Sequence, residues 1–154
     1  MDISDLVTPD GVMVPLKVSS KKQALQAMAR CAAHVTGLDE RAIFDVLLER
    51  ERLGTTGVGN GIAIPHGRLA SLKTMHGVFA RLARPINFES IDEQPVDLIF
   101  LLLAPDTAGA DHLKALARVS RLLRDRSMCE KLRGTDTPEA LYGLLISNRA
   151  SQAA

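Results

Sequence analysis

The chain has 154 residues, 46% hydrophobic and 24% charged, which suits one globular domain with a sizeable core and excludes wholesale disorder. Nineteen basic against eighteen acidic residues give a formal net charge of +1, so no global basic field exists to hold a nucleic acid backbone. With no Trp, one Tyr and four Phe, stacking of bases on aromatic platforms is not expected either.

The opening MDISDLVTPDG lacks the basic and apolar regions of a secretory signal, and a cytoplasmic protein is expected. VMVPLK at 12–17 contains Pro15 and reads as a short edge strand. Ser19 or Ser20 then caps a helix running to about Gly37, with Leu25, Met28, Ala29, Ala32 and Val35 as its apolar stripe. Asp39 caps a second helix, ERAIFDVLLERERL, that ends at Gly54 and buries Ile43, Phe44, Leu47 and Leu48.

Next comes TTGVGNGIAIPHGR, glycine-rich and then briefly β-like. MHGVFARLA at 75–83 and VDLIFLLLA at 96–104 are strands; the second is apolar on both faces and belongs at the centre of a sheet covered on both sides. Its run LIFLLLA is seven residues, too short to span a bilayer, so no membrane insertion is expected. Helices follow at about 110–124, 127–133 and 137–147, the last capped by Thr137 with Pro138 at its first position. The arrangement predicts an α/β class fold, an α/β/α sandwich with a small mixed β-sheet, as a single domain over 1–150 with a frayed tail at 151–154. Cys31 and Cys129 stand in no metal spacing and read as free thiols that pack as small hydrophobes.

The chemistry concentrates in GVGNGIAIPHGR, 57–68. Four glycines in eleven residues allow positive φ and close backbone approach, and exposed amides in such turns can form an anion nest. His66 lies just past Ile62-Ala63-Ile64, between Pro65 and Gly67, so a strand end holds it where a partner can reach it; an ordinary loop histidine is the other reading. Arg50 stands seven residues after Ile43 and three after Leu47, on the inward face of its helix, whereas Arg52 points outward. An inward cation needs a partner: a carboxylate or phosphoryl group would serve, as would an ordinary salt bridge or a snorkelling stem. His112 shares a stripe with Leu116, Val119 and Leu123 in the first turn of its helix, where the dipole disfavours imidazolium and attracts anions. His34 falls opposite its helix stripe, and His76 opens a strand without an obvious partner. No GxGxxG follows a strand, no GxxxxGK[ST] occurs, and no spacing such as HxxxH suggests a metal; neither a metal nor a cofactor is expected.

GNGIAIPHGR, preceded by LLERERLGTTG and followed by DHLKALARVSRLLRD, resembles the enzyme IIA domains of the fructose–mannitol class of the bacterial phosphotransferase system, in the wording of the nitrogen-type regulatory branch. The likeness spans nearly the whole chain, and IPHG with an arginine sixteen residues earlier and a histidine forty-six later is its specific part. The resemblance implies an α/β/α fold and a phosphohistidine carrier, phosphorylated on His66 through the ring nitrogen farther from the backbone, with Arg50 and His112 flanking the phosphoryl group. It implies a phosphorylated HPr-like protein as donor, charged from phosphoenolpyruvate by an enzyme I. Potassium-transport proteins, sensor kinases and metabolic enzymes are the implied regulatory targets. Arg52 stands where lysine is frequent in relatives. A sugar-specific IIA that passes phosphate to a IIB protein, and a docking module without phosphotransfer, are the alternative functions.

Overall fold

The computed structural model describes the backbone of residues 1–153 and the side chains of 1–147. The frayed tail expected at 151–154 lies outside the residues described with side chains. Among the described residues, six strands form one mixed sheet and five α-helices cover it.

Strand β1 (Val12–Leu16) pairs parallel with β5 at one edge of the sheet. Its register shifts between Met13 and Leu16, the span holding Pro15, which has no amide to give to a ladder. Ser20 caps α1 (Lys21–Thr36) by accepting from the Gln23 amide, and Gly37 ends it at φ 75°. Asp39 caps α2 (Glu40–Arg52) by accepting from the Ala42 amide. The glycine-rich stretch makes three short strands, β2 (Gly57–Gly59), β3 (Ile62–Ala63) and β4 (His66–Leu69). Two long antiparallel strands follow, β5 (His76–Ile86) and β6 (Val96–Pro105). Helices α3 (Ala110–Arg124), α4 (Arg126–Arg133) and α5 (Pro138–Ala153) complete the chain. The last helix thus runs past the expected 147.

The sheet order is β1-β5-β6-β3-β2, with β4 also pairing parallel with β6. Strand β6 is the spine. Its Ile99, Leu101 and Leu103 face one core, shared with Leu25, Met28, Ile43 and Leu47 of α1 and α2. Its Leu98, Phe100 and Leu102 face a second core, shared with Val119, Leu122, Leu132 and Leu141 of α3, α4 and α5. Side chains alternate along a strand, so an unbroken apolar run is what two covered faces require. The α/β/α sandwich expected from the sequence is the fold observed. Val35 and Leu48, expected in the helix stripes, are only partly buried. Cys31 and Cys129 are both free thiols.

Candidate functional site

The C-terminal turn of α2 and the N-terminal turn of α3 approach β4 and leave a cleft of about 470 Å³ between them. Arg50, His66, Arg68 and His112 line it together with Val46, Glu49, Leu53, Gly67, Leu113 and Leu116. The three residues singled out in the sequence, Arg50, His66 and His112, therefore meet in one place, joined by Arg68.

Close packing sets the position of β4. A Cβ on Gly67 would lie 2.4 Å from Cγ1 of Val46, so only glycine lets the strand lie this near α2. Its neighbours His66 and Arg68 then share the other face of β4, the open side of the cleft. Gly67 thus makes room for α2.

The two imidazoles carry their protons on different nitrogens. His66 Nδ1 lies 2.9 Å from the Ile64 carbonyl oxygen, which can only accept, so Nδ1 bears the hydrogen. Nε2 keeps its lone pair and accepts from Arg50 Nε at 3.2 Å. His112 is the reverse. Its Nδ1 accepts from Arg68 Nε at 3.0 Å, which places the hydrogen of the neutral ring on Nε2. His112 is 6% exposed, and its buried Nε2 has no hydrogen-bond partner. The ring centroids are 5.8 Å apart and meet edge to face at 72°.

Burial pushes His66 below the ordinary histidine range; the Ile64 carbonyl pulls against it, and the Arg50 charge adds a smaller push downward. Burial, Arg68 and His66 push His112 down as well. Both shifts, with an arginine N–H donating to one nitrogen of each ring, favour the neutral imidazoles. Arg50 also donates to the Gly54 carbonyl at 2.9 Å and has no carboxylate partner, contrary to the ordinary salt bridge weighed from the sequence. Arg52 is exposed and pairs with Glu49, as its outward helical phase requires. Glu51, next to Arg50, is taken by Lys21 at 3.0 Å and by Thr56. The cleft therefore holds two guanidiniums, its one lining acid, Glu49, being paired with Arg52, around one nucleophilic nitrogen and one unused donor. Such an arrangement can receive a doubly charged anion and form a bond to it.

The anion nest considered for the glycine turn is not part of this site. The Asn60 amide in that turn donates to Asp92 Oδ2 at 2.9 Å. The turn also stands at the other end of β6: Ile62 is opposite Leu98 and His66 opposite Leu102, four residues or roughly 13 Å along the strand. Arg68 is the residue that the sequence reasoning passed over, although it closes the quoted motif. Its signal was strand alternation, two residues beyond His66. His34 is exposed, and His76, pushed down by burial, stands beside Thr74. Among the described residues no group of three His, Cys, Asp or Glu could hold a metal ion, and no helix is long and apolar enough to cross a membrane.

Residues 5–148 match the family described as phosphoenolpyruvate-dependent sugar phosphotransferase system, EIIA 2. The chain is 60% identical to a nitrogen regulatory protein of Bradyrhizobium diazoefficiens over 153 residues, covering 99% of this chain and all of that one. It is 40% identical to a nitrogen regulatory protein of Klebsiella oxytoca, covering 94% and 90% of the two chains. Among solved structures, the nitrogen regulatory protein IIA-Ntr of Neisseria meningitidis superimposes with a TM-score of 0.87 at 33% identity, over 93% of this chain and 98% of that one. A match along nearly its whole length, in sequence and in fold, makes this chain a member of the EIIA 2 family of the phosphoenolpyruvate-dependent phosphotransferase system.

Proposed function

We propose that this protein is a phosphocarrier of the nitrogen regulatory kind, which accepts a phosphoryl group on His66 Nε2 from a phosphorylated HPr-like protein in the cytoplasm. The observation that carries the reading is the hydrogen-bonded state of His66. The Ile64 carbonyl holds the ring proton on Nδ1, so the free electron pair is on Nε2, beside Arg50.

In the transfer, that electron pair forms a bond to phosphorus. The bond from phosphorus to the donor's ring nitrogen breaks, and its pair returns to that nitrogen. Arg50 Nε–H exchanges its bond to Nε2 for one to an equatorial phosphoryl oxygen, and the in-flight group is stabilised by charge already in place. His112 Nε2–H, from the first turn of α3, is a second donor. The group brings roughly one and a half to two negative charges. The Arg50 guanidinium beside Nε2 offsets part of that charge.

Regulation follows from the same arithmetic. Phosphorylation turns a positively biased cleft toward neutral or negative, so targets that pack acidic or apolar surface over His66 are released and basic ones gain. The targets in view are proteins of potassium transport, sensor kinases and enzymes of nitrogen and carbon metabolism. The 60% identical relative named as a nitrogen regulatory protein supports the regulatory role over delivery to a sugar transporter.

The test is phosphorylation from phosphoenolpyruvate with enzyme I and the HPr-like carrier. Wild type is expected to take up acid-labile, alkali-stable phosphate and His66→Ala none. Uptake by the variant at the wild-type level overturns the assignment.

A further inference from the structure

We propose that Arg68 is a positioning residue, which acts through His112 by holding its Nε2 as a hydrogen-bond donor toward the phosphoryl group. The inference rests on the reading of His66 as phosphoacceptor and adds to it the control of the second histidine.

A neutral imidazole has one donor and one acceptor nitrogen and exchanges between two tautomers unless its surroundings choose. At 6% exposure, water does not choose for His112. Arg68 does: a guanidinium N–H can only donate, and Arg68 Nε lies 3.0 Å from Nδ1. The proton must then be on Nε2, the nitrogen that is buried without a partner. A buried donor left unused is costly, so its retention points to an occupant that satisfies it. The arriving phosphoryl oxygen is such an occupant, with His66 edge to face 5.8 Å away.

The opposite tautomer would fail. His112 would then offer a lone pair at Nε2, and a lone pair repels a phosphoryl oxygen. One strand thus prepares both rings. His66 on β4 has its tautomer fixed by the Ile64 carbonyl as a nucleophile, and Arg68, two residues on, fixes His112 as a donor. The remaining charged groups around the cleft do not compete for Nδ1: Arg50 is bonded to His66 and Gly54, and Glu49 to Arg52.

The experiment compares wild type, Arg68→Ala and Arg68→Lys, each alone and with His112→Ala. Two readouts are used: ring nitrogen NMR of the unphosphorylated proteins, and the rate of transfer from the phosphorylated carrier. Wild type is expected to show His112 with Nε2 protonated and Nδ1 bare, titrating below the ordinary histidine value. Arg68→Ala should populate the Nδ1–H tautomer, bring His112 titration up toward the ordinary value, and slow transfer on the order of tenfold, the size typical for a residue that orients a functional histidine. Arg68→Lys, still a donor, should recover most of both. In the His112→Ala background, Arg68→Ala should cost little more. Unchanged His112 nitrogen signals in Arg68→Ala, or an equal loss of rate with His112 already removed, overturns the proposal, the second outcome assigning Arg68 directly to the phosphoryl group. The nitrogen spectra need no phosphotransfer, so they fail independently of the His66 assignment, whose failure appears instead as phosphate retained by His66→Ala.

Discussion

The two ends of β6 are built from similar parts and differ in how their charges are spent. Each borders a cleft, of about 440 Å³ at the Val96 end and about 470 Å³ at the His66 end. Each is lined by one glycine, Gly59 or Gly67, and by arginines. At the first end Arg133 grips Asp97 with Nε at 2.9 Å and also reaches the Asn60 carbonyl, while Asp92 takes the Asn60 amide. Arg124 and Arg126 stand exposed on the rim. At the second end Arg50 and Arg68 bond neutral imidazole nitrogens, and neither has a carboxylate. Cleft size does not separate the two. A guanidinium matched to a carboxylate is structure; one resting on a neutral ring keeps its charge for an incoming anion.

The contrast breaks first at Arg50. Arg50→Ala is expected to slow phosphotransfer on the order of a hundredfold, the usual cost of one charge-stabilising donor. Arg52→Ala, which removes an exposed ion pair, should change the rate by no more than a few-fold. Arg50→Lys should remain impaired, since a point charge does not reproduce the planar fork. Rapid-quench transfer rates decide, and equal effects of Arg50→Ala and Arg52→Ala would mean that charge at the site is not specific.

Gly67→Ala comes next. The new methyl meets Val46, and overpacking of this kind costs about 1–3 kcal/mol while pushing β4 from α2. Denaturant melts should show the loss, with slower transfer, and Val46→Ala added to it should restore much of both.

At the other end, Asp97→Ala should cost about 1–2 kcal/mol, because Arg133 is partly exposed and can be rehydrated. Its transfer rate should match wild type. A large loss of transfer in a folded Asp97→Ala protein would erase the distinction between the ends.

The smallest effect is on the pH dependence of stability. His66 and His112 are both pushed below the unfolded value of 6.5, by burial first. In that interval the unfolded chain binds more protons than the folded one. Their contribution to stability is therefore complete above about pH 6.5 and is lost as pH falls through the folded values. Thermal melts across this range should fall toward acid, and His112→Gln should flatten part of the slope.

The layer order could be read from the sequence because β6 is apolar on both faces from Leu98 to Ala104, as a covered central strand requires. Helix α3 matched its expected limits because its stripe from Leu116 to Leu123 has one period. Arg50 and His112 came from the same helical phase argument. The remainder depended on contacts between distant segments. Nothing in the spacing links Arg68 to a ring forty-four residues away, or Asn60 to Asp92. The need for glycine at 67 was likewise hidden, because Val46, twenty-one residues earlier, leaves no local trace of its approach. The glycine turn looked like an anion site for the same reason.

The central claim is that an anion is received at His66 Nε2, between Arg50 and His112. Phosphorus–nitrogen NMR of the ring-labelled, phosphorylated protein tests it most directly. Phosphorus is expected on Nε2 of His66, with the Nδ1 proton still present and a new hydrogen bond at His112 Nε2. Phosphorus on Nδ1, or on any other residue, would contradict it.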